Sequence, residues 1–221
     1  MFIQPWDDTL APEEWRNWLA TTDRFGTLIV GNTDPDKAPL AVPTHFTMAT
    51  DDRILIHLAR PNPIWPHLVA ATEVRLSIIG NYAYIPTYWR AKDDIPPEQG
   101  VPTSYYAAVQ FVCAPAIIDD PQEKANLLAA QLDDLQPEGQ FAAVSPDAPP
   151  YGRMLPGIRG LSLDIIEVNA KFKFDDAKPV EFRQRIAANL DQRAHSLDAS
   201  AATQQRRRLG AIGEWKDRHE S

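Results

Sequence analysis

"HLARPNPIW", residues His57 to Trp65, closes an apolar run with an arginine, an asparagine and two prolines before an aromatic. The run that leads into it, "RILIHLA" (Arg53 to Ala59), alternates in the manner of a buried strand, and Pro63 is placed as the first residue of a helix. A strand that runs into a helix N-terminus points free N–H groups at an anion, and the Arg60 guanidinium adds a charge-assisted clamp beside Asn62. The same residues also read as a surface arginine next to an asparagine that caps a helix. The corner therefore needs support from the rest of the chain.

Outward from it, strands dominate the first two thirds. "FGTLIVG" (Phe25 to Gly31) is a strand stopped by the turn "NTDPDK", "APLAVPTHFTMA" (Ala38 to Ala49) is a second, and "RILIHLA" follows after "TDD" as a third, in an antiparallel meander. "NPIWPHLVAAT" reads as a short helix, "EVRLSIIGNYAYI" returns to strand, "YYAAVQFVCAPAII" is a further strand and "GIRGLSLDIIEVNAKFKF" the last. Before them, "TLAPEEWRNWLATT" is a first helix with Trp15, Trp18 and Leu19 on one face. "PQEKANLLAAQLDDL" is an amphipathic helix with Leu127, Leu128, Gln131, Leu132 and Leu135 at helical spacing. The expectation is a mainly β protein with peripheral helices: a six-stranded antiparallel split β-barrel over 1–190, followed by a helical, polar tail over 191–221.

The 221 residues, 44% hydrophobic and 24% charged, lie in the ordinary globular range. A net charge of −8 argues against a surface that neutralises many phosphates, so direct DNA binding is not expected. The "QRRRLG" cluster at Arg206, Arg207 and Arg208 reads as the solvated face of a helix. One cysteine, Cys113, inside an apolar run reads as a reduced buried thiol and points to a cytoplasmic protein. The acidic, proline-broken start does not read as a signal peptide, and no apolar stretch reaches the roughly 20 residues that span a bilayer.

Neither glycine-rich nucleotide motif is present, which removes P-loop and Rossmann chemistry. The histidines are widely spaced and the thiol is single, so no metal site is expected. No G-x-S-x-G elbow marks a nucleophile. The proline-rich loop "PTYWRAKDDIPPEQGVPTSYY" is different. It places the flat faces of Tyr88, Trp89, Tyr105 and Tyr106 near the donors of Arg90, Lys92, Thr103 and Ser104, a mixture suited to a planar, polar-edged ring system. Core or dimer-interface packing of the aromatics is the competing reading.

"MFIQP", "FGTL", "HLARPNPIW", "AYIPTYWRAK" and "VPTSYY" occur in that order, and the set resembles PaiB-type proteins, the FMN-binding group of negative transcriptional regulators, from Met1 to about Leu190. The resemblance implies an FMN-binding split barrel, a homodimer with flavin at the subunit interface. By motif position it puts Arg60 and Asn62 at the cofactor phosphate, and Lys92, Thr103, Ser104, Tyr105 and Tyr88 near the ring. The family's W-N-Y is here Ser104, Tyr105 and Tyr106, and its S-W-Y is Thr87, Tyr88 and Trp89. Three functions follow from the resemblance: an FMN-dependent oxidoreductase acting on a small molecule, a flavin- or ligand-sensing regulator without turnover, and a barrel that has lost its cofactor.

Overall fold

The alternating runs form strands close to where their periodicity places them. In the computed structural model, which describes residues 1–91 and 95–212, these are β1 (Phe25–Val30), β2 (Leu40–His45), β3 (Thr47–Thr50), β4 (Arg53–Ala59), β5 (Val74–Ile85), β6 (Thr103–Ile118) and β7 (Ile158–Lys173). The helices are α1 (Glu14–Ala20), α2 (Trp65–Ala70), α3 (Thr87–Arg90), α4 (Pro121–Leu135), α5 (Val180–Arg193) and α6 (Asp198–Ile212). In β4 the pattern is clean: Ile54, Ile56 and Leu58 are buried, while Leu55 and His57 between them are half-buried.

The strands form one sheet of order β2-β1-β5-β6-β7-β4-β3, seven strands where six were expected. The additional strand arises because "APLAVPTHFTMA" breaks at Phe46, whose side chain is fully buried and whose N–H donates to the Arg24 carbonyl at 3.0 Å. Before the break β2 pairs antiparallel with β1, His45 opposite Phe25; after it β3 pairs with β4, Thr47 opposite Leu55. β2 and β3 thus stand at opposite ends of the strand order although one residue separates them in the chain. No ladder closes the sheet between them; the link is the backbone through Phe46.

The chain divides into two compact units, the first made of Met1–Thr22, Ile79–Val109 and the chain from Asn169 on, the second of Asp23–Ile78 and Gln110–Val168. In the second unit α4 lies against the start of β7 at Gly160, where a Cβ would come within 2.9 Å of both Ile118 Cβ and Leu127 Cδ1, so only glycine permits the approach. The buried face of α4 is not the leucine stripe alone. Lys124, Ala125, Leu127 and Gln131 are buried, and Leu135 is exposed.

In the first unit Trp18 packs edge-on to Phe172 and donates from its indole to Asn81 Oδ1 at 2.5 Å. The stretch from residue 191 on, read from sequence as a polar tail, supplies α6 with its buried Ala201, Ala202 and Arg208. The turn between α5 and α6 lies along β5: Arg193 NH1 donates to the Tyr84 carbonyl at 2.8 Å and Asn81 Nδ2 to the Ser200 carbonyl at 3.3 Å. No described helix is long and apolar enough to cross a membrane.

Candidate functional site

The corner at the end of β4 is built by backbone carbonyls. β4 pairs with β7 from Arg53 opposite Asp164 to Ala59 opposite Ile158, which brings residues 155–158 beside Arg60. Arg60 donates its own N–H to the Gly157 carbonyl and its Nε to the Pro156 carbonyl, both at 2.8 Å. Lys124, reaching in from α4, donates its Nζ to the carbonyls on either side, Leu155 at 2.8 Å and Ile158 at 3.4 Å. Four consecutive carbonyls are therefore held by two cations.

Asp119, just before α4, takes a two-pronged pair from Arg159 at 2.8 and 2.5 Å and only a long contact of 3.5 Å from Arg60 NH2. The Arg159 hydrogen bonds hold the Asp119 carboxyl below its usual range. Burial, and after it the Arg60 guanidinium, pushes the Lys124 ammonium down. Arg60, Asp119, Lys124, Asp147, Leu155 and Pro156 line a cleft of about 450 Å³, within the size range of small-ligand sites.

The helix beyond this corner begins later than the sequence predicts. Asn62 Oδ1 accepts the Ile64 N–H at 3.1 Å, and α2 starts at Trp65 with Pro66 in its first turn, not at Pro63. The amides from Arg60 to Leu68 are either prolines or already donate: Asn62 to Ala59, Trp65 to Asn62, His67 and Leu68 to Ile64. The expected free helix N-terminus is absent from this stretch, so an anion here would be held by side chains. Arg60 NH1 has no partner among the described residues.

The remaining candidates belong to the first unit, except Lys92, which lies outside the described residues. Tyr88 is exposed on α3 and meets Trp89 edge-on at 6.1 Å; with Arg185 and Asn189 they line a second cleft of about 340 Å³. Gly100 lets the loop fold back on α3, since a Cβ there would fall 2.0 Å from the Thr87 carbonyl. Thr103 and Ser104, at the start of β6, are half-buried. Tyr105 is fully buried, packs on Phe174, donates its hydroxyl to Asp175 and accepts from Gln205 Nε2, both at 3.0 Å. Asp175 also pairs with Arg90. Burial is the main cause that raises the Tyr105 phenol well above its ordinary range.

Two features escaped the sequence reading. Lys124 sits on the core face of α4, beside Gln131 of the expected stripe, whose Oε1 lies 2.6 Å from His57 Nδ1 and whose amide donates to the Leu55 carbonyl. Its spacing with Leu127 and Gln131 is helical and was the available signal. The second is a buried ionic chain: Arg183 to Asp176 Oδ1 at 2.6 Å, Arg208 Nε to Asp176 Oδ2 at 2.6 Å and Arg208 NH1 to Glu14 at 2.6 Å. The solvated-face reading of the arginine cluster fits Arg206, which pairs with Asp191 on the surface, but fails for Arg208, which is 0% exposed. No cluster of three or more metal-ligating side chains occurs among the described residues.

The family described as "Putative FMN-binding domain" matches residues 1–167, about three quarters of the chain. The chain belongs to that family. The FMN-binding domain family span includes the Arg60 corner and ends within β7, short of the point near Leu190 to which the motif resemblance was followed; α5 and α6 lie beyond it.

Among solved structures, the flavocytochrome Anf3 from Azotobacter vinelandii superposes with a TM-score of 0.57 at 17% identity, covering 75% of this chain and 68% of that one. The FAD and heme binding protein from Mycobacterium smegmatis gives 0.56 at 17%, covering 74% and 72%. A conserved hypothetical protein from Mycobacterium tuberculosis gives 0.53 at 12%, covering 78% and 90%. These likenesses show a shared split-barrel-like fold. No curated protein matches the sequence.

Proposed function

We propose that the protein binds FMN, with its phosphate at Arg60, and serves as a flavin-dependent oxidoreductase of PaiB type. The observation that carries the reading is the state of Arg60. Its guanidinium is oriented by the Pro156 carbonyl but 47% exposed, holds only a 3.5 Å contact to a carboxylate already taken by Arg159, and opens onto a cleft that also contains the Lys124 ammonium. A phosphate dianion placed there would meet the unpartnered NH1 of Arg60. The donor set fits the group.

Bound FMN would supply reversible hydride and single-electron transfer. The chain's part is to bind and orient. Arg60 neutralises the phosphate through charge-assisted hydrogen bonds, and the Asn62 amide nitrogen, whose oxygen already caps Ile64, adds a neutral donor. On the ring side the candidates are Tyr88, Lys92, Thr103 and Ser104, while Tyr105, enclosed and hydrogen-bonded, holds the start of β6 in place. The motif order supports a homodimer, in which these residues are completed by a second copy. Arg206, Arg207 and Arg208 pair with Asp191, Glu14 and Asp176, which argues against direct DNA contact by this cluster.

Titration of purified protein with FMN and riboflavin, followed by flavin absorbance and fluorescence, tests the assignment. Arg60→Ala should weaken FMN binding about ten- to a hundredfold, the loss of roughly 1.5–3 kcal/mol of charged hydrogen bonding, and leave riboflavin binding unchanged. Arg53→Ala, which removes an exposed pair with Asp164, is the control and should change neither. Equal affinity of the wild type for FMN and riboflavin would overturn the phosphate assignment.

A further inference from the structure

We propose that Lys124 is a positioning residue for the anion corner: it acts on a bound phosphate through Arg60, by fixing the carbonyl ridge 155–158 that aims the guanidinium. The inference rests on the FMN reading and adds to it a residue from α4, outside the motif that carries Arg60.

The geometry is an alternation. Along the ridge the acceptors are taken in turn by Lys124 (Leu155), Arg60 Nε (Pro156), Arg60 N–H (Gly157) and Lys124 again (Ile158). Lys124 spans the two outer carbonyls, and Arg60 hangs from the two inner ones. Any rotation of the 155–158 peptides that frees the outer carbonyls also turns the inner pair, and with it the guanidinium. The ridge has restraints of its own, the Ile158 N–H that closes a turn on the Leu155 carbonyl and the pairing of Ile158 with Ala59; Lys124 adds a tie between its two ends.

Lys124 is 3% exposed, and it stands where a methionine would fill the same space without losing hydration. What the ammonium adds is order in the carbonyls. Its origin is fixed in turn, because α4 is anchored by the Asp120 carboxylate, which caps the Gln122 and Glu123 amides at 2.9 Å, and by its close approach at Gly160.

The test is a double-mutant cycle on the ratio of FMN to riboflavin affinity. Lys124→Met should lower that ratio about tenfold with riboflavin affinity unchanged, and in the Arg60→Ala background it should lower it no further. If the two losses multiply, Lys124 touches the phosphate directly and the positioning role is wrong. An unchanged ratio, or equal loss of both flavins, overturns it as well. Lys124→Leu, which fills the space without a donor, is read by the same criteria if the methionine variant does not fold. A wild-type ratio near one would sink the FMN reading itself, and that result is seen before any variant is made.

Discussion

Two arginines separate the uses of charge in this molecule. Arg208 in the first unit is fully enclosed, its guanidinium divided among Asp176, Glu14 and the Asp8 carbonyl at 2.6 to 2.9 Å. Arg60 in the second unit is half in solvent, hung from carbonyls, with a carboxylate it must share. The first has no capacity left for a ligand. The second is held in direction while its charge is incompletely matched, which is the condition for recognising an anion. Burial and complete pairing mark a charge that serves the fold, whereas orientation without full pairing marks one that serves a site.

The contrast should break hardest at Arg208. Arg208→Met leaves Asp176 and Glu14 buried beside one cation fewer, and should cost about 3–5 kcal/mol in denaturant unfolding, whereas Arg60→Ala should stay within about 0.5 kcal/mol of wild type. A similar loss at both positions would erase the distinction.

A smaller effect sharpens the ligand side. Asp119→Ala removes the carboxylate that competes for Arg60, so the ratio of FMN to riboflavin affinity should rise. Stability should change by about 1 kcal/mol or less, since the Asp119 pair is half-exposed. Flavin titration and a melting curve on the same variant measure both.

The smallest effect is one of pH. His45 and His57 meet edge-on at 4.9 Å, and burial, helped by the His57 charge, holds the His45 imidazolium below its ordinary 6.5. The folded state then binds fewer protons than the unfolded one between those two values. Stability is complete above about pH 6.5 and declines as pH falls toward the folded value. The thermal midpoint should drop between pH 7.5 and pH 5.5, and His45→Gln should shrink that drop.

Local patterns were legible where neighbours in sequence decide the outcome. "RILIHLA" and "PQEKANLLAAQLDDL" became β4 and α4 at their quoted bounds, because alternation and helical spacing are properties of short segments. The break at Phe46 was not legible, since one residue leaving a strand hardly disturbs its period. Lys124 was legible only as a position on the buried face of α4, because its partners are backbone carbonyls that carry no side-chain signature. Arg208 was hidden by distance: its partner Glu14 lies 194 residues away. Of the anion corner, the sequence showed the residue that could bind, Arg60. It did not show that the neighbouring amides are occupied, because hydrogen bonds from Asn62 and Ile64 back into the turn depend on where α2 begins.

The α5–α6 turn along β5 carries a consequence for solubility. The ladder between β1 and β5 covers Arg75 to Ser77; in the later half of β5, with exposed Ile79, Tyr82 and Tyr84, Arg193 occupies the Tyr84 carbonyl and the Ser200 carbonyl takes the Asn81 side-chain amide. An apolar strand with vacant backbone groups is a template on which another chain can add a strand. The helical pair, which lies beyond the family span, acts as a guard against strand-to-strand polymerisation, and a chain shortened before it would be expected to form sheets with its own copies.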